Sequence, residues 1–282
     1  MGSVSTKLHP NGLQYVEIDT DFCFATIFMQ GAQIDQFKPK GKQALLWVSS
    51  AEDYNAGNGI RGGVPICWPW FGASDIEGFP QHGFARTRTW KLDSVNMVNQ
   101  VAKLSFSLPI SDQDRQYWPH DTSVKVEFEL SESLKINLIN YNAADYPVTL
   151  TQALHSYFPT SNIHQTRVSG LSDAKYIEFG KGPYPQADDS TPFIKETDRV
   201  YTDLTSEQVI HTPQGNITVS RQNSHSAVLW NPWIDKSERL SRFNSDDYLT
   251  MLCLEAANVL EDAVVLQPGQ THTLTTEISW AE

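Results

Sequence analysis

The chain is expected to fold as an all-β protein, a large antiparallel β-sandwich with very little helix. Three observations lead there. Short runs rich in β-branched and aromatic residues recur along all 282 residues. Turn residues separate them, as at Asn11-Gly12 and Ser131-Glu-Ser133. Helical signals are confined to single turns near Thr205 to Gln208 and after Trp233. Linkers, charge blocks, low-complexity runs and internal repeats are not evident, so residues 1–282 read as a single β-sandwich domain.

Taken in order, Tyr15 to Ile18 and Phe22 to Phe28 read as strands around the acidic turn Asp19-Thr-Asp21. Gly31 to Phe37 and Ala44 to Val48 follow, and Trp90 to Val95 and Val101 to Leu108 resume the pattern. The clearest pair is Val124 to Leu130 and Leu134 to Leu138. Strict alternation of apolar and polar residues there predicts a hairpin with one buried and one wet face. Val148 to Tyr157 reads as one strand, with Thr149, Thr151, Ala153, His155 and Tyr157 on a polar but uncharged face suited to a cleft. Residues 170–203, rich in Gly, Pro and Asp, read as a long excursion of the functional kind. Ile217 to Ser220, Ala227 to Trp230, Leu249 to Ala256 and His272 to Ile278 complete the strands.

The formal net charge is −12, which argues against nucleic acid as a partner. Cys23, Cys67 and Cys253 are odd in number, scattered and set in apolar surroundings, so they read as buried free thiols in a reducing cytoplasm. No apolar run approaches membrane-spanning length, and no basic-then-apolar leader opens the chain.

The stretch from Arg61 to Arg86 fits no regular element. It runs Arg61-Gly-Gly-Val-Pro-Ile-Cys-Trp-Pro-Trp-Phe-Gly72, then an acidic turn, then Gln81-His-Gly-Phe-Ala-Arg86. Aromatic walls, glycines and a few donors (Arg61, Gln81, His82 and Arg86) suit a small polar ligand. The competing reading is a packed loop with surface arginines.

Two further residues stand out chemically. Glu255 lies in the apolar run Met251-Leu-Cys-Leu-Glu-Ala-Ala257, where an unpaired carboxylate costs several kcal/mol. It is either a structural partner of a buried cation or a group with a raised pKa and a chemical task. His155 is either a satisfied core histidine or a proton-transfer group. Together they make a plausible acid–base pair if the fold brings them close. Ser156 lies in no nucleophile elbow. His82, His120, His155, His164 and Glu255 show no ligand spacing diagnostic of a metal. Trp230-Asn-Pro-Trp233 fits a sugar-stacking wall and a packed corner equally well.

As a set in this order, the motifs at 61–72 and 81–86, with Leu154-His-Ser-Tyr-Phe158, Trp230-Asn-Pro-Trp233 and Cys253-Leu-Glu-Ala-Ala-Asn258, resemble the hexose-6-phosphate mutarotases of the aldose 1-epimerase superfamily. The resemblance implies a galactose-mutarotase-like supersandwich that interconverts the anomers of a hexose 6-phosphate without cofactor or metal. It implies His155 and Glu255 as catalytic residues and Arg61, Gln81, Arg86 and Asp203 as substrate contacts, with His82 in the same pocket. The expected partner is a small hexose phosphate, and the expected state is a cytoplasmic monomer. A lectin-like sandwich, a metal-dependent jelly roll and an epimerase of unphosphorylated hexoses remain the alternatives.

Overall fold

The structure is a computed structural model describing residues 2–74, 76–172 and 174–281. It is built from antiparallel sheets. An N-terminal four-stranded meander comprises Ser3–Leu8, Gln14–Asp19, Cys23–Phe28 and Gln33–Pro39. A nine-stranded sheet has the Leu134–Asn142 and Thr122–Leu130 hairpin near its middle. Along both hairpin strands one face is buried and the other solvated, as the sequence alternation requires. An eight-stranded sheet carries, side by side, Thr197–Thr202, Ser226–Asn231 and Met251–Asn258. The core packs Phe106, Phe128, Leu138, Leu229, Leu252 and Leu254, with many others, into one apolar cluster.

Met251–Asn258 is buried along its whole length, because both faces of the sheet are covered there. Leu252, Leu254 and Ala256 enter the main core. Met251, Cys253 and Ala257 enter two smaller clusters on the opposite face. Glu255 shares that second parity, so it points away from the main core. The same alternation places Val228 and Trp230 on that face, and Asp198 on the neighbouring strand.

Several expectations are corrected. Ala44 to Val48 is not a strand but makes only an isolated bridge, Val48 to Gly62. Val148 to Tyr157 is not one strand. It breaks into Val148–Leu150, Gln152–Leu154 and Tyr157–Pro159, because it changes partner from Val264–Leu266 to Met251–Asn258 after Leu150 and then kinks at His155 and Ser156 while keeping the second partner. The 170–203 excursion contains Lys175–Glu178, Lys181–Pro185, Thr191–Pro192 and Thr197–Thr202, most of which extend the eight-stranded sheet. Thr205 to Gln208 is not helical, whereas Trp233–Ser237 is. A short helix at Asp112–Tyr117 was missed, although Ser111 and Asp114 form its capping box and were legible as one. All three cysteines are buried and free.

Candidate active site

A cleft of about 450 Å³ opens on the face of the eight-stranded sheet that carries Glu255. Its floor comes from three adjacent strands: Asp198, then Val228 and Trp230, then Glu255. His155 reaches the same floor through a local distortion. The pairing of Gln152–Leu154 with Asn258–Ala256 and that of Tyr157–Pro159 with Cys253–Met251 keep one register across the break. His155 therefore stands opposite Glu255. The chain kinks where Ser156 N donates to Leu154 O at 2.8 Å, and His155 N donates instead to Pro65 O at 3.0 Å. His155 Nε2 ends 3.4 Å from Glu255 Oε1, and the Tyr157 ring stacks on the imidazole at 4.9 Å between centroids.

The Arg61–Arg86 segment closes the cleft from the other side. Gly63 lies against the backbone of Ile34 and Asp35, and an added Cβ would fall 2.1 Å from Ile34 O. Gly83 packs so tightly on Trp68 that a Cβ would fall 1.9 Å from Trp68 O. These two close approaches, both at positive φ, require glycine. They seat Arg61 and His82 beside them. Arg61, Gln81, His82 and Arg86 all line the cleft with His155 and Glu255. Asp203 does not fit this arrangement. It lies just past the end of Thr197–Thr202, on the opposite parity to the cleft face, and is exposed. The carboxylate that this strand brings to the cleft is Asp198, 3.5 Å from Lys236 Nζ.

Burial dominates the electrostatics. It drives the Glu255 carboxyl well above the usual carboxylate range, with Asp198 adding to the effect. It drives His155 well below the usual imidazole value, with His82, Arg86 and Arg61 nearby disfavouring a further cation. Both shifts favour the uncharged forms, a carboxylic acid beside a neutral imidazole. A neighbouring carboxylate by itself favours a charged histidine, and here burial outweighs that attraction. Burial, with the two arginines, also pushes His82 down to about 3. Its Nδ1 accepts from Gly72 N at 3.2 Å, which leaves the Nε2 proton as a donor.

Among the described residues, buried side-chain polar atoms without a hydrogen-bond partner are Arg61 Nε, His155 Nδ1, Glu255 Oε2 and Arg221 Nε. The first three belong to side chains lining this one cleft. Unsatisfied buried groups are costly, so their convergence marks a site completed by a polar ligand. Trp230 lines the cleft, whereas Trp233 packs on His164 and Tyr248, so the tryptophan motif supplies one wall and one corner. Asp198, Lys236 and Arg242 also line the cleft and were not picked out as site residues. Nothing in their local sequence separates them from surface charges. Only strand pairing and loop packing bring them in.

Fold and site together define a β-sandwich with a polar cleft built around a carboxyl–imidazole pair. The aldose 1-epimerase family model matches residues 14–279, and the chain belongs to that family. A Salmonella typhimurium protein named as a candidate glucose-6-phosphate 1-epimerase is 35% identical over 257 residues, covering 89% of this chain and 85% of its own. An Escherichia coli K12 protein of the same name is 33% identical over 264 residues, covering 92% and 88%. The crystal structure of a candidate mutarotase, YeaD, from Salmonella typhimurium superposes with a TM-score of 0.91 at 31% identity. It covers 99% of this chain and 94% of that one.

Proposed function

We propose that the protein interconverts the α and β anomers of a hexose 6-phosphate, glucose 6-phosphate first among them. The observation that carries the reading is the buried pair His155–Glu255 facing each other at 3.4 Å inside a cleft with unpartnered polar atoms. The names of the relatives support the substrate.

Glu255 serves as base at the anomeric hydroxyl and His155 as acid at the ring oxygen. The carboxylate–imidazolium form and the acid–imidazole form of the pair hold the same number of protons. A bound pyranose, donating hydroxyl hydrogen bonds to the carboxylate, favours the charged form. The O1 proton then passes to Glu255 while the His155 proton passes to the ring oxygen. The C1–ring-oxygen bond breaks as the C1=O1 bond forms, giving the open-chain aldehyde. Rotation about C1–C2 and reversal of both transfers close the ring on the other face. After opening, the pair is carboxylic acid and neutral imidazole, the state that burial already favours. The surroundings thus stabilise the open-chain complex. Each positioned proton transfer contributes about 10²–10⁴-fold.

Arg61 and Arg86 supply planar donors for the phosphate, and Gln81, His82 and Asp198 bind hydroxyls. NMR exchange rates between anomers of glucose 6-phosphate, glucose and galactose test the reading. Acceleration is expected for all three hexoses or for the phosphate alone, and to be greatest for the phosphate. Equal acceleration of glucose would make the protein a general aldose 1-epimerase. Binding without acceleration would make it a lectin.

A further inference from the structure

Arg242 was not distinguished by the sequence, yet it is among the most firmly held side chains of the cleft. One buried carboxylate, Glu52, with only 1% of its side chain exposed, organises two arginines at once. It accepts Arg242 Nη1 at 3.0 and 3.1 Å through its two oxygens, and it accepts the backbone N–H of Arg61. Its remaining capacity takes Tyr54 N at 2.8 Å. Arg242 Nη1 also donates to Gly59 O at 2.7 Å. The same Gly59 bears the stem of Arg86, since a Cβ there would lie 3.2 Å from Arg86 Cδ. Three guanidinium side chains are thus built onto one three-residue segment, 59–61, and all three line the cleft. Arg242 holds a positive φ of 55°, a strained backbone state that persists where the surroundings over-determine it.

The charge count is specific. Lys236, the other cation at the cleft, is engaged by Glu196 at 3.2 Å and Asp198 at 3.5 Å. Arg61, Arg86, Arg242 and Lys236 against the carboxylates of Glu52, Glu196 and Asp198 leave the cleft net positive, which suits an anionic phosphate monoester. The Glu52 contacts occupy Arg242 Nη1 and leave its Nε and Nη2 donors for a ligand.

We propose that Arg242 is a specificity-determining residue that binds the substrate phosphate together with Arg61 and Arg86, and that Glu52 is its positioning residue. The inference rests on the proposed hexose 6-phosphate substrate.

The test is the ratio of kcat/KM for glucose 6-phosphate to that for glucose, with calorimetric binding of inorganic phosphate alongside. Arg242→Gln should lower the ratio about ten- to a hundredfold and weaken inorganic phosphate by a similar factor. Arg242→Lys keeps a charge but cannot serve Glu52 and the ligand at once, so its ratio should fall at least about threefold. It decides the matter if the glutamine variant fails to fold. Glu52→Gln should lower the ratio mainly through KM, and an unchanged ratio there removes the positioning role. An unchanged ratio in a folded Arg242 variant, or equal losses on both sugars, overturns the specificity role while leaving the proposed function standing. A wild-type protein that neither prefers the phosphorylated sugar nor binds inorganic phosphate overturns both this inference and the phosphate part of the function.

Discussion

At the scale of single residues, chemistry turns on where burial puts protons. Glu255 is 1% exposed and His155 nearly so at its side chain, with 12% exposed. In the proposed mechanism the pair must hold one proton between carboxyl and imidazole. On the acid side it fails by gaining a second proton on His155, which burial and the neighbouring cations oppose. That limb therefore lies well below the ordinary imidazole value. On the alkaline side it fails by losing the last proton from Glu255, which burial also opposes, so that limb lies well above the ordinary carboxylate value. The rate should be bell-shaped, and its two limbs belong to the pair and not to either residue. A titration of kcat/KM would check this. A single limb centred near an ordinary histidine value would contradict it. His82, down at about 3, stays neutral across such a profile and acts as a hydrogen-bond donor.

At the scale of elements, the strand Met251–Asn258 was legible because its apolar run can only be a covered strand, and a lone Glu in it stands out. The opposite placement of His155 was not legible, since the alternation continues smoothly through a break that only sheet pairing creates. Asp198 and Asp203 illustrate the same limit. Asp198 lies within the strand Thr197–Thr202 and Asp203 just past its end, and the parity that sends only Asp198 into the cleft depends on register with Ser226–Asn231. The N-terminal meander carries its own buried carboxyl, Asp35 on Gln33–Pro39, 1% exposed and hydrogen-bonded by Thr26 and by Tyr54 at 3.1 Å. Burial raises it from 3.8 to about 6 despite those bonds. A carboxyl whose folded value is raised holds an extra proton when folded. Its favourable contribution is therefore present below the unfolded value of 3.8 and is lost as pH rises to about 6. Chemical denaturation of Asp35→Asn and wild type should show the difference shifting in the variant's favour by about 2 kcal/mol between pH 4 and 7. A difference that does not move with pH would show that Asp35 is ionised in the folded protein throughout.

At the scale of the whole molecule, the cleft is assembled from residues as far apart in sequence as Gly57 and Glu255, brought together by both the Arg61–Arg86 segment and the eight-stranded sheet. A net charge of −12 surrounds a cleft whose rim carries three arginines, so the proposed preference for an anion rests on local charges. The all-β class was legible from strand patterning, and two of the residues that line the cleft stood out as one misplaced carboxylate and one histidine. The cations that complete the rim were not, because an arginine in a loop looks the same in sequence whether it faces solvent or a cleft. The central proposal is that His155 and Glu255 together open and close the sugar ring. Its most direct test is NMR exchange between the anomers of glucose 6-phosphate with wild type, Glu255→Gln, His155→Asn and the double variant. The account predicts that each single substitution lowers the enzyme-dependent exchange rate by two or more orders of magnitude, about the size of one positioned proton transfer. The double variant should be little worse than the worse single one, since both act on one event. Exchange near the wild-type rate in either folded single variant would contradict it.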